Sequence, residues 1–197
     1  MASEKNQSFV VENGVTIGVI VLALFVIFGV GLPRWVGGDA AHSAVAQSPI
    51  TLPDKVGKYL PAADQNTWSQ GVKDKVLSQD NATSIEQQAS QMEAQAKKNA
   101  KTLGSQAATK MYVDVKDQAF LVVAAIRSRN AFLQGITANL QKVGNSVCQT
   151  ATDSSGGSAI DCSRTSDDLT IEVQAQGGNQ SADSVAKYVD QIWDQVA

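Results

Sequence analysis

The run Gly14–Leu32 (GVTIGVIVLALFVIFGVGL) contains no charged residue over 19 positions, and it constrains the chain more than any other feature. At about 1.5 Å rise per residue, such a segment as a helix just crosses a hydrocarbon core of roughly 30 Å. Glu12 precedes it, and Pro33, Arg34 and Trp35 follow it. These supply a helix breaker, a cation whose stem lies along lipid, and an aromatic suited to the interface. A transmembrane helix is therefore expected over residues 14–32, in contact with the lipid bilayer. The alternative is a cleaved signal peptide, because Ala44, Val45 and Ala46 have the small-x-small form of a cleavage site. Against it, the apolar run exceeds the usual core of about 7–15 residues, and Pro33 to Ser43 is a long, partly polar spacer. A retained signal anchor is the favoured reading.

The charge rule for orientation is nearly silent, since Lys5 lies on one side of the run and Arg34 on the other. The layout decides instead. A short polar head (residues 1–13), a span and a long domain form the usual signal-anchor arrangement, with the head in the cytoplasm. The expected localisation is the cell membrane, single-pass, with the C-terminal domain outside, where thiols oxidise. Residues 33–48 read as a juxtamembrane linker; its stretch GGDAAHSAVAQS is small and polar and has no apolar period. Residues 49–197 suffice for one domain with its own core. Two of the 16 basic and three of the 19 acidic residues precede Pro49, which leaves this domain close to neutral. Such a balance argues against nucleic acid or an anionic bilayer face as its main partner.

Changes of period outline the domain. Asn81 to Leu103 places Ile85, Ala89, Met92, Ala96, Ala100 and Leu103 at helical spacing, with Thr83 and Glu86 as a capping box and Gly104 as a stop. A helix lying on a sheet is favoured over a short coiled coil, because the alanine-rich seam is weak and brief. Thr109, Met111, Val113 and Val115 alternate with Lys110, Tyr112 and Asp114, as in a half-exposed strand. Lys116 and Asp117 supply a turn, and Ala119–Ile126 (AFLVVAAI), apolar on both faces, reads as a central strand. Asn130 to Lys142 is a shorter helical pattern ending near Gly144 and Asn145. Ser146 to Thr150, Asp161 to Thr165 and Leu169 to Ala175 are strand candidates. Ser181 caps a last helix with the stripe Val185, Val189, Ile192 and Val196, flanked by Tyr188 and Trp193. The fold class expected is α+β: an antiparallel sheet of four or five strands packed with helices, after an N-terminal transmembrane helix.

The only two cysteines are Cys148 and Cys162. A metal site needs about four N, O or S ligands, and the single histidine, His42, lies back in the linker. A redox pair favours CxxC spacing. A structural disulfide closing a hairpin needs nothing else, so these two are expected to form one. No catalytic constellation emerges, and no metal or cofactor is expected. One histidine undercuts the nucleophilic triads. Asp167 and Asp168 read as solvated turn acids rather than as calcium ligands or an acid–base pair, and Gly177 and Gly178 as a turn rather than an anion site. Arg127 and Arg129, at the end of the central strand, and Arg164 are the candidate contacts for an anionic ligand.

The segment from Cys162, CSRTSDDLTIEVQAQGGNQSADSVAKYVDQIWDQV, resembles the end of the extracytoplasmic sensor domains of actinobacterial, PknH-type receptor Ser/Thr kinases. There a Cys-x-Arg segment leads into an alternating strand, a glycine turn and a final helix. The resemblance sets Cys162, Arg164, Val173, Ala175, Gly177 and Ala186 in corresponding places. It covers about the last quarter of the chain, its motif is structural, no kinase precedes the span, and only one disulfide is possible here where the family carries more than one. It implies an extracytoplasmic α+β domain of similar shape in an actinobacterial envelope, binding a ligand or a partner. The expected function is a non-catalytic envelope protein whose anchored domain binds another envelope protein or a small ligand. The alternatives are a sensor or accessory subunit signalling to a cytoplasmic partner, and an envelope hydrolase with carboxylates that spacing does not pair. An open cleft with converging Asp or Glu would favour the last.

Overall fold

An eight-residue strand that is apolar at every position has no face to give to water, so it must lie inside a sheet covered on both sides. In the computed structural model, which describes residues 49–74, 76–102, 106–127, 140–152 and 158–197, Ala119–Ile126 is such a strand and all eight residues are buried. Along the chain the elements are β1 (Leu60–Pro61), α1 (Gln65–Lys73), α2 (Gln79–Thr102), β2 (Ala107–Asp114), β3 (Ala119–Ile126), β4 (Gln141–Val143), β5 (Ser146–Thr152), β6 (Ser158–Thr165), β7 (Thr170–Gln176) and α3 (Ala182–Val196). The strands form one seven-stranded sheet in the order β1-β2-β3-β7-β6-β5-β4, with every neighbouring pair antiparallel.

The sheet has more strands than the four or five expected. The additional ones are β1 and β4, two and three residues long, too short to show an alternating period. Where the sequence pattern carries a helix through to Lys142, the chain is instead already in β4. It returns at Gly144, whose φ of +58° makes the hairpin turn into β5. The remainder of that pattern, residues 130–139, lies outside the described residues, as does the expected span 14–32. Among the described residues no helix is long and apolar enough to cross a membrane.

Each face of the sheet has its own helix layer. On one face α3 lays Val185, Val189, Ile192 and Val196 against Leu121, Val123, Ile171, Val173, Ala175 and the two cysteines. Ser181 caps α3 with its hydroxyl on the Ser184 amide, while the Ser184 hydroxyl returns to the Ser181 amide. On the opposite face Ile85 and Ala89 of α2 and Trp68 of α1 cover Met111, Val113, Phe120, Val122 and Ala124. The helix on a sheet expected here is observed, but its cap is not Thr83. The helix begins earlier, where the Ser78 hydroxyl accepts the Asn81 amide at 3.2 Å.

Tyr112 departs from its expected exposure and is fully buried. The segment before β1 passes over this side of β2, and the Tyr112 hydroxyl donates to the Pro53 carbonyl at 2.7 Å. The turn between β7 and α3 needs its glycine. Gly177 has φ of +74°, and a Cβ there would sit 2.5 Å from the Gln118 carbonyl oxygen.

Candidate functional site

Cys148 and Cys162 are direct cross-strand neighbours in β5 and β6 and are joined by a disulfide. Both are fully buried in the α3-side core. Sulfur so placed is a staple between two strands rather than accessible chemistry.

The candidate ligand arginines turn inward to the last helix. The Arg127 Nη2 donates to the Val196 carbonyl at 2.8 Å, placing a cation at the negative end of α3. Arg164 pairs with Asp190 at 2.7 Å, and its guanidinium lies 4.3 Å from the centre of the Trp193 ring. Both hold the final turns of α3 against the sheet. Arg129 lies outside the described residues. Asp168 accepts from the Ser166 hydroxyl at 2.8 Å in the turn before β7. Among the described residues, His, Cys, Asp and Glu side chains form no group of three or more able to hold a metal.

Two features that the sequence did not single out stand forward instead. The first is an open sheet edge. The Gln106 carbonyl accepts from the Arg127 amide on the β3 side, whereas the Met111 carbonyl accepts from the Ala62 amide on the other side. In an antiparallel ladder the direction alternates residue by residue, so Ala107 and Thr109 aim their amides and carbonyls away from β3. On that side β1 reaches only as far as the pairing of Pro61 with Tyr112. The ladder ends there because its next groups are taken: the Ala62 carbonyl accepts the Trp68 indole N–H at 2.8 Å, and the Met111 amide donates to Glu93. Among the described residues no strand pairs with Ala107 and Thr109 along this edge.

The open edge forms the floor of a groove of about 700 Å³, within the usual range for ligand sites, roughly 300–1,000 Å³. Pro49 and Ile50 form one wall. The other is a single stripe of α2: Ser90, Glu93, Ala94, Lys97 and Lys101. Burial pushes the Glu93 carboxyl above the usual carboxylate range, with Lys110 and the Met111 amide pulling it back. One Glu93 oxygen, Oε1, is buried without a hydrogen-bond partner among the described residues. Lys97 and Lys101 are exposed on the same stripe. The groove therefore offers backbone donors and acceptors on its floor, an apolar wall and a cationic wall.

The second feature is a buried carboxyl pair. Asp161 on β6 and Glu172 on β7 share the sheet face opposite α3 and are 6% and 8% exposed. Asp161 lies directly opposite Gln174, and Glu172 opposite Ser163, so the two acids are diagonal neighbours. They hydrogen-bond to each other, and Gln149 Nε2 donates to Asp161 at 3.3 Å. Among the described residues, Asp161 Oδ1 and Glu172 Oε2 have no hydrogen-bond partner. Burial pushes Asp161 up to about 6, against hydrogen bonds from Glu172 and Gln149. Burial pushes Glu172 well above the carboxylate range, and the neighbouring Asp161 charge adds to it. Such a pair holds a proton between its members, because two buried charges at contact would repel and neither would be solvated. Neither acid lines the groove.

Compared with protein-family models, curated proteins and solved structures, the chain matches none of them.

Proposed function

We propose that this chain is a single-pass membrane protein anchored through residues 14–32, presenting a non-catalytic extracytoplasmic domain that binds a partner protein or a small ligand. The observation that carries the reading is the groove on β2, where an open sheet edge, an apolar wall and lysines meet. The charge-free run of 19 residues supports the anchor. The disulfide supports an oxidising compartment, because such bonds persist outside the cytosol. The resemblance of the segment from Cys162 to PknH-type sensor domains of an actinobacterial envelope points to the same reading. The hydrolase alternative draws on Asp161 and Glu172, which converge but are buried rather than set in an open cleft.

The test is photo-crosslinking in intact membranes, with a photoreactive residue placed in turn at Ser90, Gln106, Lys116 and Asp194 of the full chain. A reproducible adduct at one of these positions is expected; silence at all of them would remove the binding reading. Protein taken from intact cells and denatured without reductant is expected to be labelled by maleimide at neither cysteine, and at both once it is reduced.

A further inference from the structure

We propose that the groove takes an extended, acidic peptide segment of a partner protein, which joins the sheet as an additional strand along β2. The proposal rests on the binding role argued above and names the partner's chemistry. Ala107 and Thr109 present two amides and two carbonyls outward, with no strand pairing to them among the described residues. A peptide strand supplies matching groups at the same period, whereas a compact small molecule does not. Successive side chains of an added strand point to opposite faces. One set would face Ile50 and Ala108, and the alternate set would face the stripe of α2 that carries Lys97 and Lys101. Among the described residues neither lysine belongs to an ion pair. Charge complementarity thus selects Asp or Glu at alternate positions and small apolar residues between them.

The alternation distinguishes strand addition from attraction to a positive patch. The probe is a fluorescein-labelled hexapeptide of alternating Val and Asp, titrated by anisotropy into the full chain in detergent micelles. Three comparisons accompany it: the same peptide N-methylated at alternate amides, a Val/Lys peptide, and the charge-reversed variant with Lys97→Glu and Lys101→Glu. Saturable binding of the Val/Asp peptide is expected. Binding should weaken at least tenfold on N-methylation of one set of amides, weaken at least tenfold in the reversed variant, and be absent for Val/Lys. Equal binding of the peptide when either alternate set of its amides is N-methylated in turn would overturn strand addition. So would failure of the Val/Asp peptide to bind, or tenfold tighter binding when residues 41–48 are replaced by a Gly-Ser linker, which would reassign the groove to the chain's own linker. Membrane crosslinks at Lys116 or Asp194 but not at Ser90 or Gln106 would overturn this proposal while leaving the general binding role standing. Silence at all four positions would remove both.

Discussion

On the α3 face of the sheet, a row across four strands reads Tyr112, Leu121, Ala175 and Ile160, and all four are buried. One residue along, on the other face, the row begins Met111 and Val122 and then changes to Gln174, Asp161 and Gln149. The same strands thus carry a continuous apolar layer on one side. On the other side, the layer turns polar between β3 and β7. The first arrangement is stabilised by area removed from water, which is indifferent to pH. The second holds carboxyls and amides out of water with incomplete hydrogen bonding, and its contribution depends on protonation.

The largest effects should fall on the apolar face. Ile192→Ala in α3 removes a fully buried side chain and should lower the unfolding free energy by about 2–5 kcal/mol, measured by denaturant titration followed by tryptophan fluorescence. Replacing both cysteines with alanine should cost about 3 kcal/mol, as expected for a loop of this length. If Gln149→Ala, on the polar half, cost as much as Ile192→Ala, the contrast between the halves would fail.

A pH titration sharpens the comparison at intermediate size. The folded-state values of Asp161 and Glu172 are raised above their unfolded ones. Their contribution is therefore fully present below the unfolded values near 4 and is lost as pH rises through about 6 for Asp161 and through the raised folded-state value of Glu172. Stability should fall by about 1–3 kcal/mol between pH 5 and pH 8 from this pair. Glu172→Gln keeps the side-chain shape and a donor but removes the second charge, so it should flatten that slope. The Ile192→Ala variant should keep the slope and shift the whole curve down. A slope unchanged in Glu172→Gln would show that the pair does not set the pH response.

The contrast also explains what could be read from the residues in order. Ala119–Ile126 was legible as a central strand because an all-apolar stretch of that length admits few other places. The α3 stripe and its Ser181 cap were legible because helical period and capping agree. Thr170, Glu172 and Gln174 are the polar positions that alternate through the strand candidate Leu169 to Ala175. That alternation is the same whether the polar side meets water or another buried polar layer, so the burial of Glu172 needed the tertiary structure. The groove was hidden for a related reason. It depends on Pro49 arriving beside Thr109 and on β1 stopping at Pro61, neither of which leaves a periodic trace. Cys148 and Cys162 were readable as a pair because there were only two, while Arg127 was readable as a strand-end cation and Arg164 as a candidate ligand contact, but neither as a clamp on α3.

Arg164 lies between the two classes and should give a smaller effect. Its ion pair with Asp190 is partly exposed, at 23% and 38% of the side chains, so solvent screens most of the charge attraction. Stacking over Trp193 adds desolvated contact. Arg164→Ala should cost about 1 kcal/mol, and Arg164→Lys should recover only part, because an ammonium lacks the planar fork and stack. Complete recovery by lysine would mean that charge alone holds this end of α3.

The smallest effect is expected at Gln174, and it tests the comparison most directly. Gln174 sits between Val122 and Asp161 in the row where the layer changes character, and its Oε1 is buried without a partner among the described residues. Replacing a buried acceptor that makes no hydrogen bond with an apolar group of similar size removes a desolvation cost and adds contact with Val122. Gln174→Leu should therefore be neutral or stabilising by less than about 1 kcal/mol. It should also raise the midpoint of the pH transition, since a less polar neighbour makes ionisation of Asp161 harder. A loss above about 1 kcal/mol would show that Gln174 is hydrogen-bonded within the polar half. That half would then be a satisfied network, and its low sensitivity to side-chain removal would have to be abandoned.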